Sequence, residues 1–310
     1  MKWHKKKVLV TGATGFIGSH LVKRLIKEGC RVKVLALPEE CRKLTHLKGK
    51  ITCLKGDICG PLEKIIKNTD IVFHLAGLTD VLSCSRYPEK AFRINAFGTF
   101  NLLKSIDPAK LEKFIHLSTA AVYGVPQYLP IDEKHPTFAA NPYSASKLAA
   151  ECFVIAYGAT YGLNYSVIRL FNVYGPGQDG NFFMPTMVKQ IISKDSIRLE
   201  NNDTTRDFIY IDDVIDGIIK VAKQGKKAVY NLGSGRETRI AEVINGVKNI
   251  LDKKIEVKVL DINRSNIPRN RADIGRIKKE VKWSPQTPLR KGLERTVDYW
   301  MARQKAGARK

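Results

Sequence analysis

Three residues in this chain have the types and spacing to do chemistry: Tyr143 and Lys147 inside "NPYSASK", and Thr119 in "HLSTAAVYG". Tyr143 and Lys147 are four positions apart, so a helix puts them on one face, with the ammonium placed to stabilise a phenolate. A phenol with an ordinary pKa of about 10 is a poor base at neutral pH until its surroundings favour the ionised form. The Thr119 hydroxyl could hold the same reacting oxygen from the other side. Such a set suits the movement of a hydride on and off an alcohol, with the tyrosine handling the proton. Because Tyr-x-x-x-Lys recurs on many exposed helices, its meaning depends on the elements that would position it.

The first of these elements is the amino-terminal run "KKVLVTGATGFIGSHLVKRLIKEG". Val8, Leu9 and Val10 read as a buried strand, and Gly12, Gly15 and Gly18 punctuate the turn into an amphipathic helix. In a dinucleotide-binding turn the first glycine permits the tight bend, the second lets backbone approach a pyrophosphate, and the third allows close helix–strand packing. The helix start would offer N–H groups and a positive dipole end to the phosphates. Further on, strands are predicted at 31–36, 51–55, 70–74, 113–118 and 164–170, with helices at 88–105 and 142–161. That alternation specifies an α/β fold, a doubly wound parallel sheet of Rossmann type. Beyond Gly175 the pattern becomes irregular: a Pro/Gly-rich loop, a helix to about 193, a short strand, a helix opened by Asp212, a strand at 227–231, a helix at 239–251, a strand at 255–260 and two terminal helices. The division expected is a dinucleotide-binding domain over 1–172, with part of 205–235 returning to it, and a smaller interleaved substrate lobe over 173–310.

These motifs, taken in order, resemble the extended short-chain dehydrogenase/reductases, and within them the nucleotide-sugar epimerase/dehydratase group typified by UDP-glucose 4-epimerases. The likeness runs through "TGATGFIGSH", "GDI" at 56–58, "HLAG" at 74–77, "NAFGTFNLL" from Asn95, "STAAVYG", "PYSASK", "RLFNVYGPGQ" from Arg169, "RDFIYIDDV" from Arg206, "YNLGSG" from Tyr230 and "RADIGRIKKEVKWSP" from Arg271. The resemblance implies a catalytic Tyr143, Lys147 and Thr119. It implies a cofactor site made by Gly12, Gly15, Phe16, Ile17, Gly18, Arg42, Asp57, Ile58, Leu75, Ala76, Gly77, Asn95 and Ser118 with the same Tyr143 and Lys147. For a nucleotide-sugar substrate it implies Thr79, Thr119, Tyr143, Asn172, Asn181, Phe182, Arg206 and Arg264, the arginines serving as phosphate clamps through their planar fork. It also implies a homodimer, made by packing the helices after Pro88 and Pro142 against their symmetry mates as a four-helix bundle.

The cofactor's identity stays open at this level. The acid that holds the ribose 2′-hydroxyl in NAD-binding proteins is expected at the end of the second strand, where this chain has Ala36. Arg42 or Lys43 could take the 2′-phosphate of NADP, while Glu39 or Glu40 could serve a hydroxyl. Asp57 would contact adenine, or else satisfy local backbone in a turn. The two residues after Thr119 narrow the reaction. Dehydratases of the family carry an Asp–Glu pair there, and this chain has Ala120 and Ala121. Simple hydride transfer remains: 4-epimerisation of a nucleotide-hexose, with UDP-sugars favoured, or reduction of a keto-sugar with NADP.

Composition agrees with an enzyme that is neither a membrane protein nor a nucleic-acid binder. The 310 residues are 44% hydrophobic with no apolar run of bilayer length. A net charge of +23 is spread along the chain rather than interleaved with aromatics, which reads as a lysine-rich surface. The six cysteines lack C-x-x-C spacing and fall mostly in predicted elements, so the expectation is reduced thiols, no disulfide, no metal and a cytoplasmic location.

Overall fold

The computed structural model describes residues 3–63, 66–194, 196–199, 204–259 and 267–307. Strand β1 (Lys7–Thr11) leads through the glycine turn into α1 (Phe16–Lys27), then β2 (Arg31–Ala36), a short helix α2 (Pro38–Cys41) running into a 3-10 turn (Arg42–Leu47), and β3 (Ile51–Lys55). After β4 (Ile71–His74) come α3 (Val81–Arg86) and a long helical stretch made of α4 (Pro88–Ala91), a π segment (Phe92–Phe97) and α5 (Gly98–Lys104). Next in the chain are β5 (Lys113–Thr119), α6 (Pro142–Thr160) and β6 (Tyr165–Leu170).

These strands and a later one, β11 (Ala228–Leu232), form a seven-stranded sheet in the order β11-β6-β5-β4-β1-β2-β3, every pairing parallel. The expected doubly wound α/β fold is therefore what forms. Alternation along β1 shows why: Val8 and Val10 join one apolar cluster, while Leu9 between them joins the cluster on the other face. Each buried side chain of this kind contributes about 1.5–3 kcal/mol, so both faces demand a helical cover. Chain order reverses between β1 and β4, opening a crevice at the carboxyl ends of these strands.

The remaining elements are β7 (Asn172–Tyr174), α7 (Phe183–Ser193), β8 (Ser196–Leu199), β9 (Thr205–Arg206), β10 (Phe208–Tyr210), α8 (Ile211–Gln224), β12 (Thr238–Arg239), α9 (Ile240–Ile250), β13 (Glu256–Val259), α10 (Gly275–Val281) and α11 (Leu289–Gly307). Their strands pair only in twos, β7 with β10, β9 with β12 and β8 with β13. Two-residue strands such as β9 and β12 carry too little periodicity to be read from sequence.

Two expectations need correction. The helix anticipated over 88–105 is not uniform, because Phe92–Phe97 widens into a π turn; this swings Asn95 onto the backbone of Leu78. The thiols are not all reduced: Cys41 and Cys53 form a disulfide with a Cα–Cα distance of 6.2 Å. β3 pairs with β2 so that Cys53 lies opposite Val34, and α2 turns back to bring Cys41 over it. A pairing made by a strand register and a turn leaves no spacing signature. Among the described residues no cluster suited to a metal ion is present, and no helix is long and apolar enough to cross a membrane.

Candidate active site

The glycine turn is built for close approach. Gly12 has φ +69°, and a Cβ there would sit 2.7 Å from the Ala76 amide nitrogen; a Cβ on Gly18 would collide with the Gly12 backbone. Gly15 caps α1 without any side-chain cap, and no acid occupies the first helical turn. The first N–H groups of α1 thus remain available to an anion, which is what a pyrophosphate requires. A dinucleotide therefore fits the residues present at this end.

Tyr143 and Lys147 stand on α6, whose start is specified by its own sequence. Asn141 caps it in a reciprocal box with Ser144, and Pro142 takes the first helical position. Thr119 ends β5, where its Oγ1 accepts the Ala121 N–H at 3.1 Å. Burial pushes the Tyr143 phenol up from its ordinary pKa, and the Thr119 hydroxyl pulls it part of the way back. Lys147 donates from Nζ to the Leu117 carbonyl at 2.5 Å, and burial lowers it to about 8. The Thr119 hydroxyl is the group that lowers the phenol, and the Lys147 ammonium is anchored to strand β5.

A buried hydrogen-bond network fixes this geometry. Asn95 Oδ1 accepts the Leu78 N–H at 2.7 Å, and its Nδ2 donates to the Leu78 carbonyl and to Ser146 Oγ, each at 2.9 Å. Ser146 in turn donates to the Tyr143 carbonyl. Asn95 thereby clamps the 75–79 loop to the helix that carries the tyrosine. Beneath it, Thr11 Oγ1 lies 2.8 Å from His74 Nδ1, and His74 Nε2 lies 2.8 Å from Thr99 Oγ1. Thr99 donates to the Asn95 carbonyl, so it accepts from His74, leaving Nδ1 to accept from Thr11. The imidazole is neutral, its pKa lowered to about 3 by burial first and by the Lys147 charge second. His116, 5.3 Å from it, is likewise driven well below the ordinary value by burial.

Glu151 continues the Tyr143–Lys147 stripe by one more turn. Its carboxylate takes a two-point contact from the Arg169 guanidinium at 2.7–3.2 Å, both side chains being buried. Its charge raises Lys147 against the pull of burial. No motif singles this pair out, although the i+4 spacing from Lys147 is visible in the sequence.

A cleft of about 1460 Å³ gathers most of the expected residues: Gly12, Gly15, Phe16, Ile17, Gly18, Leu75, Gly77, Thr79, Ser118, Thr119, Tyr143 and Lys147 line one side. Asn172, Asn181, Phe182 and Arg206 line the other. Ala76, Asn95, Arg42, Asp57 and Ile58 do not line it. Ala76 donates to Thr11, and Ile58 is buried against the helix at Gly98. Asp57 closes a turn by accepting the Cys59 N–H at 2.9 Å, the local-backbone role. Arg264 lies outside the described residues.

Arg206 donates to the Thr205 and Ile267 carbonyls at 2.6 and 3.0 Å, and burial lowers its pKa. Its neighbouring acids are engaged elsewhere. Asp207 accepts from Ser234, Gly235 and Ala272, which gives the "YNLGSG" turn its purpose, and Asp212 pairs with Arg295. Lys189, Arg198, Trp300 and Arg303 also line the cleft, with Asp179 the one carboxylate among the described lining residues. Lys189 and Arg303 flank the Trp300 ring at 5.2 and 5.7 Å. No motif announced them, since α11 contributes its residues across more than a hundred positions of sequence.

The fold and site together define a dinucleotide-dependent enzyme of the short-chain dehydrogenase type, with a basic pocket facing the catalytic wall. Residues 9–296 match the family model described as GDP-mannose 4,6 dehydratase, and the chain belongs to that family, whose members are NAD(P)-dependent epimerases, dehydratases and reductases. A putative UDP-glucose 4-epimerase of Methanocaldococcus jannaschii is 32% identical, covering 95% of this chain and 98% of that one. The UDP-glucuronic acid 4-epimerase of Bacillus cereus, solved with UDP-glucuronic acid and NAD, superposes with a TM-score of 0.87 at 29% identity, covering 96% and 99%. RMD from Pseudomonas aeruginosa, solved with NADPH, gives 0.85 at 30% identity, covering 96% and 100%.

Proposed function

We propose that the chain is a nucleotide-sugar 4-epimerase, with a UDP-hexose the favoured substrate and NAD the favoured cofactor. The observation that carries this reading is the wall formed by Thr119, Tyr143 and Lys147, with Ala120 and Ala121 directly after the threonine, neither of which can serve as acid or base. A 4,6-elimination needs a further proton donor and acceptor at that point. When bound, NAD supplies reversible hydride acceptance at the sugar carbon.

The residues of the chain do the rest. Tyr143 takes the proton of the 4-hydroxyl and returns it to the ketone oxygen after the sugar has turned, so the net proton balance is zero. Thr119 holds the same oxygen and stabilises the tyrosinate. Lys147, fixed by Leu117 and assisted by Glu151, holds positive charge beside the nicotinamide ribose. Gly12, Gly15 and the α1 N-terminus receive the pyrophosphate; Asn172, Asn181 and Arg206 face the substrate diphosphate. Phe92, Phe97, Phe153 and Ile155 expose 38–58% of their surface on the helices at 88–104 and on α6. Such a patch on two adjacent helices supports a homodimer through a four-helix bundle. A cytoplasmic location loses the support of uniformly reduced thiols, given Cys41–Cys53.

The test is incubation of the purified protein with UDP-, dTDP-, CDP- and GDP-hexoses, with inversion at C4 monitored by NMR. Turnover with catalytic NAD and no net reduced cofactor supports the epimerase. Stoichiometric NADPH consumption with a 4-keto-sugar, and no inversion, would establish the reductase instead.

A further inference from the structure

Behind the catalytic wall lies a buried ion pair that touches none of the reacting atoms. Tyr143, Lys147 and Glu151 follow one another at four-residue steps on α6, so they stand on successive turns of one face, and Lys147 and Glu151 are 5% and 1% exposed. Arg169 of β6, 6% exposed, donates to both Glu151 oxygens, from Nε at 3.2 and 3.1 Å and from Nη2 at 2.7 Å. Arg169 is itself fixed from two further directions. In the strand register it lies opposite Ser118, the neighbour of Thr119, and its guanidinium stacks over the Tyr123 ring, 4.7 Å from the centroid, in the turn that follows Thr119. The Tyr123 hydroxyl in turn donates to Asn231 Oδ1 of β11 at 2.7 Å. One side chain therefore joins the strand and turn that carry Thr119 to the helix that carries Tyr143 and Lys147.

Resting on the proposed hydride-transfer role of this wall, we propose that Glu151 and Arg169 are its positioning residues: Glu151 is the buried counter-charge of the Lys147 ammonium, and Arg169 holds that carboxylate in place. The Leu117 carbonyl accepts from the ammonium but brings no net charge to balance it. Burial lowers Lys147 to about 8, and Glu151 raises it against that pull. The other titratable groups described around Tyr143 and Lys147 supply no negative charge in the free chain. Burial keeps His74 of β4 and His116 of β5 as neutral imidazoles, and it keeps the Cys84 thiol of α3 and the Tyr143 phenol protonated. A carboxylate left at this depth without its guanidinium takes up a proton rather than stay charged, so losing Arg169 also removes the counter-charge.

The Lys147 titration is followed by NMR of the whole chain carrying isotope-labelled lysine, with the Cε resonance assigned by its loss in Lys147→Arg. Glu151→Gln should lower the titration midpoint by about one pH unit or more, the size expected on removing an opposite charge one helical turn away. Arg169→Gln should lower it likewise, whereas Arg169→Lys, which keeps a cation beside Glu151, should restore at least half of the fall. A merely structural role would cost stability in these variants without moving the midpoint in this order. Should the single variants fail to fold, the double variant Glu151→Gln/Arg169→Met leaves no buried charge unpaired, and a fall in the same direction is expected. A midpoint unmoved in Glu151→Gln, or in the double variant, overturns the counter-charge. A midpoint that does not separate Arg169→Gln from Arg169→Lys overturns the role of Arg169. Because the titration uses no substrate, absence of sugar turnover would overturn the proposed function and leave this result readable, so the two failures are distinguishable.

Discussion

The two walls of the cleft are built by different means. On the sheet side, Thr119 ends a seven-residue buried strand, Tyr143 and Lys147 share a capped nineteen-residue helix, and Asn95 cross-links that helix to the loop after β4. On the opposite side, Arg206 stands in a two-residue strand, Asn172 in a three-residue one, and Asn181 and Phe182 in a loop. The first wall tolerates little displacement, as acid–base chemistry requires; the second supplies charge and shape, which a mobile substrate end can accept. Regular elements carry Thr119, Tyr143 and Lys147, and short strands and a loop carry Asn172, Asn181, Phe182 and Arg206.

That contrast can be broken most severely at Tyr143. Tyr143→Phe is expected to lower kcat about 10³-fold while leaving dinucleotide binding intact, because only the proton acceptor is lost. Steady-state kinetics with a parallel NAD titration check this; a tenfold loss or less would place the base elsewhere. Next comes Thr119→Ala, with an expected kcat loss of about 10- to 100-fold. The Thr119 hydroxyl pulls the phenol down, so its removal is expected to raise the pKa further and to move the acid limb of the pH–rate profile to higher pH. A limb that stays in place would separate Thr119 from the tyrosine.

On the second wall, Arg206→Lys should raise KM about tenfold with kcat nearly unchanged, since a lysine keeps the charge but not the fork. A matched fall in kcat would instead tie Arg206 to the transition state. The smallest effect should come from Arg303→Ala, a roughly two- to threefold rise in KM that fades with added salt, as for a cation at the rim.

A stability contrast accompanies the kinetic one. Lys113 is buried and donates to the carbonyl oxygens of Tyr165, Gly225 and Lys226 and to Asn164 Oδ1, with burial lowering it to about 8. Between about pH 8 and its unfolded value of 10.5, the folded state has shed a proton that the unfolded chain still binds, so this group adds stability as pH rises. Urea midpoints of wild type and Lys113→Met, compared at pH 7.5 and 9.5, should therefore diverge toward higher pH. A gap that does not change with pH would show that the ammonium stays charged through that range.

Most of the sheet side was legible because it obeys short periods. Strands at 31–36 and 51–55 match the structure to the residue, and the capping box at Asn141 and the i,i+4 pair of Tyr143 and Lys147 can be read locally. Lys189, Arg198, Trp300 and Arg303 could not be read, since α7, β8 and α11 meet only in three dimensions. Asp57, a motif match, accepts the Cys59 N–H of its own turn, a local contact two residues away.

By itself, the sequence determined the parallel α/β architecture, the glycine turn and the placement of Tyr143 and Lys147 on one helix face, because each depends on contacts within a few positions along the chain. It also placed Ala120 and Ala121, neither an acid nor a base, directly after Thr119. Only the tertiary structure decided the rest: that Thr119 tunes the phenol, that Lys147 is anchored to Leu117 with Glu151 and Arg169 behind it, and that Cys41 meets Cys53. These depend on strand register and on burial, which set distances and desolvation between groups far apart in the chain.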